Sequence, residues 1–148
     1  MDRKSLLKTL NLSRFTAFDF ETTGLDPYND RIIEIAAIRF EDGEITDRYV
    51  ELINPERSIS RMITEITGIS NKMVQNAPTE ETIIDDFLYF LGNDPLVAHN
   101  IHFDEQFLSV MCDRLGRNKG NNANYDTLQL SRSLFFDQPV FNLGALSE

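Results

Sequence analysis

The sequence predicts an α/β fold: a mixed sheet that opens with an antiparallel three-strand meander and carries flanking helices. Three observations point there. Alternating apolar segments joined by Asp42-Gly43 fill the first third of the chain, apolar stripes at helical spacing follow Pro78, and the short apolar run Leu96-Val97-Ala98 lies between two of those stripes. Strands first, then helices alternating with a strand, make a sheet with helices packed against it.

The elements follow in order. Leu6 to Leu12 forms a short lead-in helix, and Arg14 to Glu21 the first strand. Asp26-Pro27-Tyr28-Asn29-Asp30 has the composition of a loop. Arg31 to Glu41 is the second strand, and Asp42-Gly43 suits the positive φ values of a type I′ hairpin turn. Glu44 to Leu52 alternates as a third strand and stops before Asn54-Pro55. Thr64 to Ser70 reads as a short helix closed by Gly68. Pro78-Thr79-Glu80-Glu81 opens a longer helix with Thr79 as N-cap; Ile83, Ile84, Phe87, Leu88 and Leu91 form its core stripe. Leu96 to Ala98 is a buried strand, and Phe103 to Leu115 a helix with Phe103, Phe107, Leu108, Met111 and Leu115 inward. Cys112 falls in that apolar pattern as a small core residue.

A chain of 148 residues that is 41% hydrophobic fits one domain, residues 1–148, with a core of its own. No linker, repeat or low-complexity segment stands out. No apolar run is long enough to span a bilayer, and Met1-Asp2-Arg3-Lys4 does not open a signal peptide. A lone cysteine excludes an internal disulfide, so a reducing cytoplasm is expected. The formal charge of -10 excludes a broad basic face that grips duplex nucleic acid. It leaves room for contact with a few nucleotides in a cleft made locally positive by bound cations.

Chemistry is concentrated in two places. Asp19-Phe20-Glu21-Thr22-Thr23-Gly24 ends the first strand, and the period of 2 puts Asp19 and Glu21 on one face. Two unpaired acids there are costly to bury, and a divalent cation would offset that cost. An acidic strand end before a glycine turn is also a common structural feature, so the hexapeptide alone decides nothing. The second cluster is Val97-Ala98-His99-Asn100-Ile101-His102-Phe103-Asp104-Glu105, a strand running into a helix. Its acids suit the positive end of a helix dipole. That suffices for Glu105, expected to be solvated. Asp104 is a candidate third oxygen ligand beside Asp19 and Glu21. His99 and His102 lack the Cys or His partners of a zinc site; they read as a buried hydrogen-bonded histidine and a loop histidine.

These motifs resemble the DEDD-type 3′–5′ exonucleases, specifically the epsilon-like proofreading exonuclease domain of bacterial replicative DNA polymerase III. Phe18 to Leu25 stands as the first family motif and Val97 to Asp104 as the second. Ile66-Thr67-Gly68-Ile69-Ser70 resembles the intermediate segment of the polymerase type that carries its exonuclease within the polypeptide. Asp126-Thr127-Leu128 resembles the segment after the second motif. Four motifs in order, from about Arg14 to the end of the chain, are far more specific than any one.

The resemblance implies an RNase H-like fold and hydrolysis of DNA from a 3′ end. It implies that Asp19, Glu21 and Asp104 are catalytic and hold two ions, Mg²⁺ or Mn²⁺, roughly 4 Å apart. Thr22, Thr23, Gly24 and Leu25 match positions that contact the terminal nucleotide through backbone amides and a Leu25 wedge; Asn100 and Phe103 match positions lining the same cleft. The implied partners are a single-stranded DNA 3′ end and a polymerase subunit or domain. The family's third motif, His followed five residues later by Asp, is expected on a helix beyond Asp126-Thr127 and has no counterpart there. Asp137, beside Pro139, comes too early, and Phe141 to Glu148 resembles the helix just before that motif. The domain is therefore expected to be incomplete at its C-terminus, poorly active as it stands, and able to pair as a homodimer through apolar surface around Leu143 and Leu146. A non-catalytic nucleotide- or polymerase-binding module and an RNA-trimming exonuclease are the alternatives.

Overall fold

The computed structural model describes residues 2–134, 142 and 144. Its first helix, α1, runs Arg3–Thr9 and so begins earlier than the apolar spacing suggests. Capping decides the start, because the Asp2 carboxylate accepts the Ser5 N–H at 2.9 Å. The meander follows as expected: β1 (Arg14–Thr22), β2 (Ile32–Glu41) and β3 (Glu44–Leu52), with Phe18 opposite Ala37 and Ala37 opposite Tyr49. Asp42 and Gly43 both take positive φ, 50° and 86°, which is what a type I′ turn between β2 and β3 requires.

Helices α2 (Arg61–Thr67) and α3 (Asn71–Val74) come next. α2 starts before Thr64 because the Ser60 hydroxyl caps the Ile63 N–H, and it ends on Gly68 at φ 77°. α4 (Glu80–Leu91) buries Ile83, Ile84, Phe87 and Leu91 as read, and adds Phe90. Thr79 occupies its N-cap, but its hydroxyl pairs with Thr82 rather than with a helix N–H. β4 (Leu96–Ala98) leads into α5 (Ile101–Arg114), followed by a short β5 (Asn124–Asp126) and α6 (Thr127–Leu134). His102 is thus an exposed helical residue, not a loop histidine.

The sheet order is β3-β2-β1-β4-β5, with β4 parallel to β1 and β5 parallel to β4. Its core face carries Phe18, Phe20, Ile35 and Ala37 against Phe87, Phe90, Phe107, Leu108 and Met111 of α4 and α5, and Cys112 is buried there too. The Phe20 and Phe87 rings meet edge-on at 5.8 Å between centroids. A second cluster, Ile33 with Ile59, Ile63, Ile69 and Val74, holds α2 and α3 against the start of β2. The Ala17, Asp19 and Glu21 side chains leave the opposite face of the sheet. The residues expected to form an apolar C-terminal edge, Leu143 and Leu146, lie outside the described residues, as do Asp137 and Pro139. Among the described residues, no helix is long and apolar enough to cross a membrane.

Candidate active site

The site lies where β4 stops short. The Thr16 N–H donates to the Pro95 carbonyl at 2.9 Å, and β4 pairs with β1 at Thr16 and Ala17. Alternate N–H groups of β1 point toward β4, but that strand has ended by the level of Phe20. The Phe20 N–H is taken instead by the Asp104 carboxylate at 3.0 Å, across 84 residues of sequence. Asp104 sits in the first turn of α5 and is 2% exposed. The third expected acid is thereby fixed to the backbone between the first two.

The electrostatics follow from this gathering. Burial pushes the Asp104 carboxyl up to about 7, with the charges of Asp19 and Glu21 adding to the rise and the Phe20 N–H opposing it. Glu21 is also raised, by burial first and then by Asp19 and Glu34. Glu34 stands directly opposite Glu21 in the β1–β2 register, a like-charge cross-strand pair that a sheet ordinarily avoids. Asp19 keeps an exposed side chain, yet crowding by protein atoms raises its carboxyl while His99 pulls it down.

Among the described residues, no group of three or more His, Cys, Asp or Glu side chains is set to hold a metal ion. The donor chemistry nevertheless suits one. Asp19, Glu21 and Asp104 offer carboxylate oxygens, which hard divalent cations prefer, and their mutual repulsion is what a cation removes.

The turn after β1 is built around Asp30. Its carboxylate accepts the Thr23 hydroxyl and the Asp26 N–H, each at 3.0 Å. A Cβ on Gly24 would stand 2.3–2.7 Å from the Asp30 carboxylate, so no larger residue fits without moving it. Thr22 is buried and donates its hydroxyl to the Gly24 carbonyl. The Thr23 N–H, expected to face a ligand, is already bonded to the Arg31 carbonyl at 2.9 Å. The Gly24 and Leu25 N–H groups donate no hydrogen bond among the described residues, and the Leu25 side chain is 85% exposed.

Across the site, Asn100 sits at φ 61° as the N-cap of α5. Its N–H donates to Asp126, which also accepts the Leu128 N–H and so ties the end of β4 to the start of α6. Phe103 is half-buried and leans on Phe107. A cavity of about 320 Å³ opens on the site face, lined by Ala17, Asp19, Ala36, Val97, His99 and Thr127 among others. His99 is only half-buried there, with Nδ1 3.1 Å from the Thr127 hydroxyl. Glu105 is not solvated as expected; Lys119 pairs with it at 2.5 Å. Sequence reading missed Asp30 and gave Asp126 no role. The signal available for Asp30 was its place at the end of a turn-forming loop.

The exonuclease family model matches residues 16–148. The chain belongs to the exonuclease family. It is 46% identical over 120 residues to the PolC-type DNA polymerase III of Thermotoga petrophila, which covers 81% of this chain and 9% of that protein. It is 40% identical over 140 residues to the 3′-5′ exonuclease DinG of Bacillus subtilis, 94% of this chain and 15% of that one. The chain thus spans about a tenth of the length of its PolC-type relatives. An Escherichia coli exonuclease I structure in complex with a dA16 oligonucleotide superposes with a TM-score of 0.74 at 22% identity, covering 86% of this chain and 31% of that one. The fold is the RNase H-like fold of exonuclease I, and exonucleases of this family generally depend on divalent metal ions.

Proposed function

We propose that this exonuclease-family chain is a single proofreading-type domain that removes nucleotides from DNA 3′ ends with two divalent ions, Mg²⁺ or Mn²⁺. The observation that carries the reading is the Asp104 carboxylate on the Phe20 N–H, which ties the second motif to the backbone between the two acids of the first. Asp19, Glu21 and Asp104 would hold the ions. When bound, such ions lower the pKa of a water and stabilise charge on the leaving 3′ oxygen.

The protein supplies position. The open Gly24 and Leu25 amides face the terminal nucleotide, Leu25 stands as a wedge against its base, and Asn100 and Phe103 form the opposite wall. Thr22 and Thr23 stiffen the turn that presents them. This assigns contacts to backbone and base faces, so sequence selectivity should be weak. The 148 residues hold no His-and-Asp pair of the family's third kind after Asp126, so these residues alone should hydrolyse slowly; a positioned general base typically contributes ~10² to 10⁴-fold. A cytoplasmic location, a polymerase subunit or domain as partner and a homodimer through the C-terminal edge belong to the same proposal.

The test is calorimetric and substrate-based. Asp19→Ala and Asp104→Ala should each lose most Mn²⁺ affinity while circular dichroism shows the fold retained. Linear single-stranded DNA should bind better than closed circular strands of the same sequence. Unchanged Mn²⁺ binding in both variants would sink the site assignment, and equal affinity for circles would favour a non-catalytic nucleic-acid module.

A further inference from the structure

Charge is distributed unevenly at the two ends of this sheet. At the end away from the site, Asp94 accepts Arg14 and Arg39, while Glu41 and Asp47 complete the neutralisation. Arg114, Arg117 and Lys119 are likewise held by carboxylates. Arg31, Arg57 and Lys72, like Lys4, Lys8, Arg48 and Arg132, form no salt bridge among the described residues, although the chain carries a net charge of -10. Arg57 and Lys72 share one concave surface, and Arg31 lines the cleft beside it. A groove of about 400 Å³ is lined by Asn54, Glu56, Arg57, Asn71, Lys72 and Gln75, with Val74 at its base. Asn54 and Glu56 also line an adjoining cleft whose wall includes Arg31 and Glu81.

Backbone contacts tie the neighbourhood of the groove to the turn of the candidate site. Thr23 of the site turn donates its N–H to the Arg31 carbonyl, and the Arg57 guanidinium bonds the Asn29 carbonyl two residues earlier. The β1–β2–β3 register places the start of β2 and the end of β3 beside Glu21, so Asn54 follows directly from the site's end of the sheet. Its walls are fixed: Asn71 exchanges hydrogen bonds with the Ile59 backbone at 2.8 and 2.9 Å, and the Ile33 cluster lies beneath. Among the described residues no aromatic side chain lines it, so they offer cations and amides but no stacking surface for a base.

Resting on the exonuclease reading, we propose that this groove carries the phosphate backbone of the single strand just upstream of its 3′-terminal nucleotide. Arg31, Arg57 and Lys72 are its phosphate contacts. Polar, cationic and non-aromatic walls position a backbone without reading its sequence. The Glu56 and Glu81 carboxylates keep the local excess of charge small, which limits affinity away from the metal-binding end.

The experiment compares a fluorescein-labelled dT12 with terminal phosphorothioate linkages against dTMP, both with Mn²⁺. Arg57→Gln/Lys72→Gln should weaken dT12 binding roughly tenfold at low salt, and flatten the dependence of log Kd on log salt by about 0.7 for each cation removed. Lys72→Gln alone, which breaks no side-chain hydrogen bond or ion pair among the described residues, should show half of the flattening of the double variant. The dTMP affinity should stay unchanged, and Lys8→Gln on α1 should leave dT12 binding as it was. An unaltered slope in Lys72→Gln and in the double variant overturns the proposal, as does an equal effect of Lys8→Gln. Binding of neither dTMP nor dT12 by the wild-type chain overturns the exonuclease reading itself.

Discussion

Asp104→Asn should make the metal-free protein more stable, not less. The Asp104 carboxyl is 2% exposed and pushed from 3.8 up to about 7 by burial and by the charges of Asp19 and Glu21. A raised acid binds its proton more tightly folded than unfolded, so folding is penalised once the pH exceeds the unfolded value. The penalty is absent below about pH 4, grows between pH 4 and 7, and is complete above 7. A shift of roughly three units corresponds to about 4 kcal/mol. The asparagine keeps an oxygen for the Phe20 N–H and carries no charge, so it escapes this penalty. For a domain of this size, 4 kcal/mol is roughly 10 °C in melting temperature.

The assay is thermal unfolding of both proteins in EDTA at pH 4, 6 and 8. The gap should open from near zero to its full value across that series. Adding Mn²⁺ at pH 8 should then stabilise the wild type far more than the variant. A gap that does not change with pH, or a variant less stable at pH 8, would refute the argument that repulsion and burial load this carboxylate.

Two other outcomes follow from named contacts. Gly24→Ala should displace the Asp30 carboxylate from Thr23 and Asp26, costing roughly 1 kcal/mol in urea unfolding while weakening dTMP binding several-fold; unchanged nucleotide binding would show that the turn does not hold the 3′ end. Burial alone would raise Asp94, but the hydrogen bonds from Arg14, Arg39 and Thr16 outweigh it and hold the carboxyl below its usual range, so its contribution is present above about pH 4 and fades as the pH drops through the lowered value. Asp94→Asn should cost roughly 3 kcal/mol at neutral pH, whereas Glu65→Gln, which breaks the exposed Arg61–Glu65 pair, should cost no more than about 0.5 kcal/mol.

The sequence was most legible where local rules sufficed. Asp42-Gly43 and Asn54-Pro55 bound β3 at the residues read, and the stripe of α4 needed only its own periodicity. β5 and α3, of three and four residues, are too short to show a period. The start of α5 depends on Asn100 held in a left-handed conformation by Asp126, a partner 26 residues away that local patterning cannot reveal. The same holds for the site. The motif acids were readable as types and order, but the bond that joins Asp104 to β1 is a tertiary fact. The groove of Arg57 and Lys72, with Arg31 in the cleft beside it, went unread because a net charge of -10 hides where unpaired cations lie together.

The brevity of β4 has a consequence for how this architecture can change. A strand two residues longer would place its own carbonyl on the Phe20 N–H, and Asp104 would have no seat. Loop insertions beyond Ala98 are then far more hazardous than their surface position suggests, whereas lengthening the β2–β3 hairpin at the distal end leaves this junction alone. The gap in the ladder is the structural resource, and the chain is constrained to keep it open.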